Sequence, residues 1–199
     1  MKSPIIIGIT GGIGGGKTTL SDNLRAVGYF VYDSDLEARR LQNENSIIRN
    51  QLLEVFGNDI YADNELNRKL LANLVFGKPD LLAKLNSIVH PVVRNDFHLW
   101  TELHKSEKLL FMESAILFES GFNELVDKVI VMTASEEIRI ARVIKRDGST
   151  LEQVKARMSH QLKDEVKISK ADFVIHSDDN QPLVNKMHFI IQELLAQTS

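Results

Sequence analysis

The 199-residue chain is long enough for one domain with insertions, and its 43% hydrophobic and 26% charged residues suit an ordinary globular protein rather than a disordered or fibrous one. Its 24 Lys and Arg stand against 27 Asp and Glu, a net charge of −3, so it has no global positive field to hold a nucleic-acid backbone. Cysteine is absent, which excludes disulfides, thiolate metal sites and a cysteine nucleophile, and no stretch approaches the ~20 apolar residues of a membrane span. The short run Ile5-Ile6-Ile7-Gly8-Ile9 breaks into glycines too early for a secretory leader, so the expectation is a cytoplasmic protein with neither nucleic-acid nor membrane partners.

Pro4 to Thr10 is a continuous β-branched run, the pattern of a strand buried on both faces, and is expected to be the central strand of a parallel sheet. Lys17 to Ala26 suits a helix, ended by Gly28 before a second apolar stretch, Tyr29 to Tyr32, that stops at Asp33. From Leu36 to about Leu103 there is no convincing strand. Leu52, Val55 and Phe56, then Leu70, Leu71, Leu74 and Val75, recur at helical spacing and predict a helical insertion over about 36–104. Strands are expected again at Leu109 to Met112, Val129 to Met132 and Phe173 to Ile175. Helices are expected at Glu136 to Arg146, Leu151 to Lys163 and Leu183 to Leu195. The alternation implies an α/β fold, a doubly wound parallel sheet of about five strands flanked by helices. No repeat or Pro/Ser-rich linker divides the chain, so residues 1–199 are taken as a single domain carrying the insertion and a helical lid over about 136–165.

Between the first strand and first helix, Gly11-Gly12-Ile13-Gly14-Gly15-Gly16-Lys17-Thr18 satisfies the GxxxxGK[ST] phosphate-loop pattern. Glycines let the backbone curl so that N–H groups point inward, and the helix N-terminus adds partial positive charge. Lys17 would bridge the β- and γ-phosphates of ATP, the Thr18 hydroxyl would ligate Mg²⁺, and Thr19 would reach the α-phosphate.

A phosphate loop alone fits a kinase, a GTPase switch or an ATP-driven motor. A GTPase normally carries [NT]KxD, and here Asn185-Lys186-Met187 runs on to His188. Asp33-Ser34-Asp35 falls at the carboxyl end of the second strand, where ligands of doubly wound sheets gather, and a carboxylate there can orient an acceptor hydroxyl and take its proton. The plainer alternative is a helix N-cap. Arg139, Arg142 and Arg146, three and four residues apart, would line one helix face and close over the transferring phosphate, or else form a solvated stripe paired with Glu136, Glu137 and Asp147. These features together describe a P-loop kinase, with a nucleotide-gated binding module or a different small-alcohol acceptor as the competing readings.

Taken together the motifs resemble the dephospho-coenzyme A kinase family. The resemblance rests on the opening Gly8-Ile9-Thr10-Gly11-Gly12-Ile13-Gly14, on Asp33-Ser34-Asp35-Leu36-Glu37-Ala38-Arg39 as the family's DxDxxAR, and on Leu66-Asn67-Arg68 with Val75-Phe76. It continues through His90-Pro91-Val92-Val93-Arg94, Leu117-Phe118-Glu119, Arg142, Arg146, Gln161, Lys167 and Ala171-Asp172. It implies ATP-dependent phosphorylation of the ribose 3′-hydroxyl of dephospho-coenzyme A, the last step of coenzyme A synthesis, by a monomer or weak homo-oligomer. By the same resemblance Asp33 is the base, and Lys17 and Arg142 stabilise the transferring phosphate. Arg146 and Ser177 lie on the nucleotide side, while Asp35, Arg39, Arg68, His90, Arg94 and Leu117 join Asp33 on the acceptor side. His90 could instead merely end a helix before Pro91. The chain departs from the family at Gly15, Ala115, Glu113 and Ser177, where Ser, Pro, Asp and Asn are usual. A serine at 177 offers adenine fewer hydrogen bonds than an amide.

Overall fold

In the computed structural model, which describes residues 3–197, the first apolar run forms β1 (Ile5–Thr10). α1 (Lys17–Ala26) follows the glycine loop, and Gly28, at φ 94°, turns the chain out of it toward β2 (Val31–Asp33). The chain up to Asp33 and from Thr101 onward makes one compact unit, and Ser34–Trp100 makes a second.

The second unit is mainly helical. α2 (Ser34–Glu44) packs against α3 (Ser46–Phe56), whose Asn45 cap accepts the amides of Ile47 and Ile48. A 3₁₀ turn, Asn58–Ile60, leads to a small antiparallel hairpin of β3 (Tyr61–Ala62) and β4 (Glu65–Leu66). This corrects the expectation of a strandless insertion. Asp63 and Asn64, at φ 49° and 66°, form a two-residue turn that needs left-handed backbone at both positions, which Asp and Asn tolerate. α4 (Arg68–Val75), capped by Asn67, and α5 (Pro79–Leu103) complete the segment. Ile48, Leu52, Ile60, Leu71, Ile88, Val93 and Phe97 are buried.

Pro91 lies inside α5, so His90 does not end a helix, and that alternative is removed. The proline costs one ladder bond without stopping the helix. His90 is half-buried; desolvation, and then the charge of Arg94, hold its pKa below the ordinary 6.5.

In the first unit the chain returns as β5 (Leu109–Glu113), a 3₁₀ turn at Phe122–Leu125, and β6 (Lys128–Thr133). α6 (Glu136–Asp147), α7 (Leu151–Ser159), α8 (Asp164–Ile168), β7 (Phe173–His176) and α9 (Leu183–Ala196) follow. The five strands are all parallel in the order β2-β5-β1-β6-β7, with β1 central as its composition predicts. Ile7, Ile9, Phe111, Ile130, Met132 and Ile175 on one face pack with Leu20 and Leu24 of α1 and Met187, Ile190, Ile191 and Leu194 of α9. The helix expected over Leu151 to Lys163 stops at Ser159, and α8 begins only at Asp164, after a break at 160–163. There Gln161 and Leu162 bond to other parts of the unit, and Asp164 and Glu165 begin a new first turn.

Phe111 is fully buried and meets Tyr29 edge-on at 5.5 Å, so Phe111→Ala should lower stability by about 3–5 kcal/mol, read from the urea midpoint. For His90 the unfolded chain takes up the proton first as pH falls, so the fold loses stability progressively below about pH 6.5. His90→Gln, which cannot take that proton, should lose measurably less stability than the parent between about pH 7 and 5.5 in the same titration.

Candidate active site

The glycine loop spans the turn from the C-terminal end of β1 to the N-terminus of α1. Gly14 and Gly16 sit at φ 80° and 100°, backbone that side chains strongly resist, and Gly15 donates its amide to the Gly12 carbonyl at 3.0 Å. No side chain caps α1 and no acidic residue lies in its first turn, whereas α6 opens on Glu136-Glu137 and α8 on Asp164-Glu165. The leading amides of α1 are therefore left for an anion, supported by the positive end of the helix dipole. Lys17 folds across the loop, its Nζ donating to the carbonyls of Gly11 at 2.9 Å and Gly12 at 3.4 Å. Thr19 is exposed on the first turn of α1.

Two carboxylates stand beside this loop. In the parallel register Ile9 of β1 lies beside Glu113 of β5, and Glu113 beside Asp33 of β2. Asp33 and Glu113 thus occupy neighbouring strand ends on one face of the sheet, their backbones about 5 Å apart across the two strands. The Thr18 hydroxyl donates to Glu113 Oε1 at 3.1 Å, while Glu113 Oε2 is buried with no hydrogen-bond partner. A buried anionic oxygen in that state is costly, and a hard cation that takes one or two protein oxygens fits it. Among the described residues no group of three or more His, Asp or Glu is placed to hold a metal ion. Glu113, noted in the sequence only as a departure from the family pattern, was not among the expected site residues, yet it stands bonded to Thr18 beside the loop. Its signal was available, since an acid ends the wholly apolar strand Leu109-Leu110-Phe111-Met112.

The three arginines of α6 divide. Arg142 reaches the phosphate loop: its guanidinium donates to the Gly14 carbonyl at 3.3 Å, to Ser177 Oγ at 2.7 Å and to the Ser177 carbonyl at 3.0 Å. Ser177 stands against Gly16, where an added Cβ would lie 3.3 Å from its own Cβ. Arg146 instead pairs with Asp147, which also accepts Arg157 at 2.7 Å, and these two guanidinium groups hold the Asp147 carboxyl well below the usual carboxylate range. Arg139 belongs neither to an exposed stripe nor to a phosphate-facing row. It is buried, and its guanidinium is bonded to Asp164 at 2.7 and 2.9 Å. It passes so close to Gly12 that a Cβ there would stand 1.8 Å from Arg139 Nη1.

Leu117 is fully buried; an added Cβ on Gly8 would lie 2.8 Å from its Cδ2, so its side chain serves the core and offers a ligand no surface. In the helical unit Asp35 and Arg39 are exposed on α2, Arg68 opens α4, and His90 and Arg94 lie one turn apart on α5. Arg68 donates to the Arg39 carbonyl at 2.8 Å and to Gln42. Partial burial, and then the charge of Arg39, lower the Arg68 pKa.

The chain matches the sequence profile of the family described as dephospho-CoA kinase over residues 5–182. It is 38% identical over 192 residues to the dephospho-CoA kinase of Bacteroides fragilis, covering 96% of this chain and 92% of the relative. It is 44% identical over 161 residues to that of Porphyromonas gingivalis, covering 81% and 79% respectively. A solved dephospho-CoA kinase from Campylobacter jejuni superposes with a TM-score of 0.69 at 27% identity over 98% of both chains. A parallel five-stranded sheet carrying a phosphate loop, matched at this level along nearly the whole length, places the chain in the dephospho-CoA kinase family.

Proposed function

We propose that the protein transfers the γ-phosphoryl group of ATP to the ribose 3′-hydroxyl of dephospho-coenzyme A, with Asp33 as the base. The observation that carries this reading is the register of Asp33 beside Glu113 next to the phosphate loop. Glu113 is committed to the Thr18 hydroxyl, while Asp33 ends its strand half-exposed.

In the transfer the loop amides of Gly14, Gly16, Lys17, Thr18 and Thr19 hold the phosphate oxygens, with Gly11, Gly12, Ile13 and Gly15 shaping the loop. Lys17 exchanges its carbonyl partners for the β- and γ-phosphates, a stronger, charge-assisted bond. Thr18 and Glu113 would hold Mg²⁺, which supplies charge neutralisation between the outer phosphates when bound. Arg142, already over Gly14, meets the equatorial oxygens, and Arg146 joins it by exchanging Asp147 for phosphate. Ser177 sets Arg142 and borders the base. Asp33 orients the acceptor hydroxyl and receives its proton as the oxygen–phosphorus bond forms and the bridging bond to ADP breaks.

Arg39, Arg68 and Arg94 supply positive charge for the acceptor's phosphates, His90 a neutral ring at neutral pH, and Asp35 a polar contact. The protein works as a monomer or weak homo-oligomer in the cytoplasm. No helix among the described residues is long and apolar enough to cross a membrane.

Asp33→Asn should lower kcat by about 10²- to 10⁴-fold while ATP affinity by calorimetry stays within about threefold. A panel of dephospho-coenzyme A, nucleoside monophosphates and small alcohols in one ADP-release assay should show acceptor-dependent release with dephospho-coenzyme A alone. Release that no acceptor stimulates would point to a nucleotide-gated module instead.

A further inference from the structure

The break between α7 and α8 carries an arrangement that the transfer chemistry does not require but the phosphate loop does. Gln161 Oε1 accepts the Ile13 amide, in the middle of the loop, at 2.9 Å, and Gln161 Nε2 donates to the Ala115 carbonyl at 3.3 Å. Ala115 lies two residues beyond Glu113. One side-chain amide therefore spans the phosphate loop and the segment that follows the carboxylate bonded to Thr18.

The neighbouring residues repeat this connection. Lys167, with no exposed surface, donates to Ala115 O at 3.5 Å and pairs with Glu119 at 3.3 Å, and Glu119 also accepts the Leu162 amide at 2.9 Å. Asp164 holds Arg139 against Gly12 and accepts the Thr133 hydroxyl at 2.8 Å from the end of β6. A charge such as Lys167 is buried only where its partners are fixed, because removing one of them leaves an uncompensated ion. The 161–167 segment is thus rigidly tied to β6 and to the loop after β5, and from that anchorage it touches the phosphate loop at two successive residues, Gly12 and Ile13.

We propose that Gln161 is a positioning residue for the nucleotide: it fixes the phosphate loop from behind, so that the remaining loop amides keep their inward set and stay in register with Glu113. Gln161 touches neither reactant in this role. By engaging the Ile13 amide it removes the freedom of that peptide to rotate, and a loop that loses the constraint must spend binding energy ordering itself around phosphate. The inference rests on the kinase reading for its catalytic half only; its binding half concerns ATP alone.

The test uses the full chain with Gln161→Met, which keeps length and removes both hydrogen bonds, and Gln161→Asn, which keeps the amide and withdraws it by one methylene. Mg·ATP affinity is measured by calorimetry without acceptor, then kcat and both KM values with dephospho-coenzyme A. Expected is about tenfold weaker ATP binding for Gln161→Met, the size of a lost hydrogen bond, with kcat lowered by a similar factor. KM for dephospho-coenzyme A should stay within about twofold, and Gln161→Asn should fall between the parent and Gln161→Met. A purely structural role would lower the urea midpoint and leave ATP affinity at the parent value, and that result overturns the proposal. Equal weakening toward ATP and the acceptor overturns it too. Should Gln161→Met fail to fold, Gln161→Asn with parental ATP affinity overturns it alone. A parent protein that binds ATP but does not phosphorylate dephospho-coenzyme A removes the proposed function and leaves the ATP-binding comparison intact.

Discussion

Everything in this site depends on one stretch of glycine backbone holding its course while neighbours press on it from outside. The loop from Gly11 to Gly16 runs against the Met132 carbonyl and the Arg139 backbone and side chain, at distances that leave several of its residues no room for a Cβ. Glycine is required here for clearance as much as for conformation. The hydrogen bonds to Gln161 and the contact of Arg139 with Gly12 show that the loop is positioned from two further elements and not by β1 and α1 alone.

Parallel register does the rest. Because neighbouring strands advance together, the last residues of β2, β5 and β1 end at one level, and Asp33 and Glu113 arrive beside the loop without any long-range device. The hydrogen bond from Thr18 to Glu113 separates them by assigning one carboxylate to the α1 hydroxyl. The glutamate at 113 reaches the Thr18 hydroxyl across the gap between β5 and α1. The serine at 177 likewise keeps a function: its hydroxyl and carbonyl together hold Arg142 over Gly14.

Much of this was legible in the residues. Continuous apolar runs marked the strands because buried parallel strands need no polar alternation, and the phosphate loop carries its own spacing. The hairpin at Tyr61–Leu66 was missed because its strands are two residues each, too short for any periodicity, although Asp63-Asn64 is a turn signal. The break after Ser159 was missed for a different reason. Most of residues 151–163 are good helix formers, and only the weaker Ser159 and His160 hint at the break, which Gln161 and Leu162 complete by bonding to the phosphate loop and to Glu119. Arg139 shows the same limit. Its spacing with Arg142 and Arg146 is helical, but spacing cannot tell that Asp164, 25 positions on, folds back to meet it.

The most direct measurement follows the phosphorus itself. Parent protein is incubated with Mg·ATP labelled with heavy oxygen on the γ-phosphoryl group and with dephospho-coenzyme A, and the products are weighed by mass spectrometry. Coenzyme A carrying the heavy oxygens on its ribose 3′-phosphate, in one-to-one yield with ADP, is the expected result. Label recovered in inorganic phosphate beside unaltered dephospho-coenzyme A would contradict the pairing of this loop with Asp33 as a transfer site.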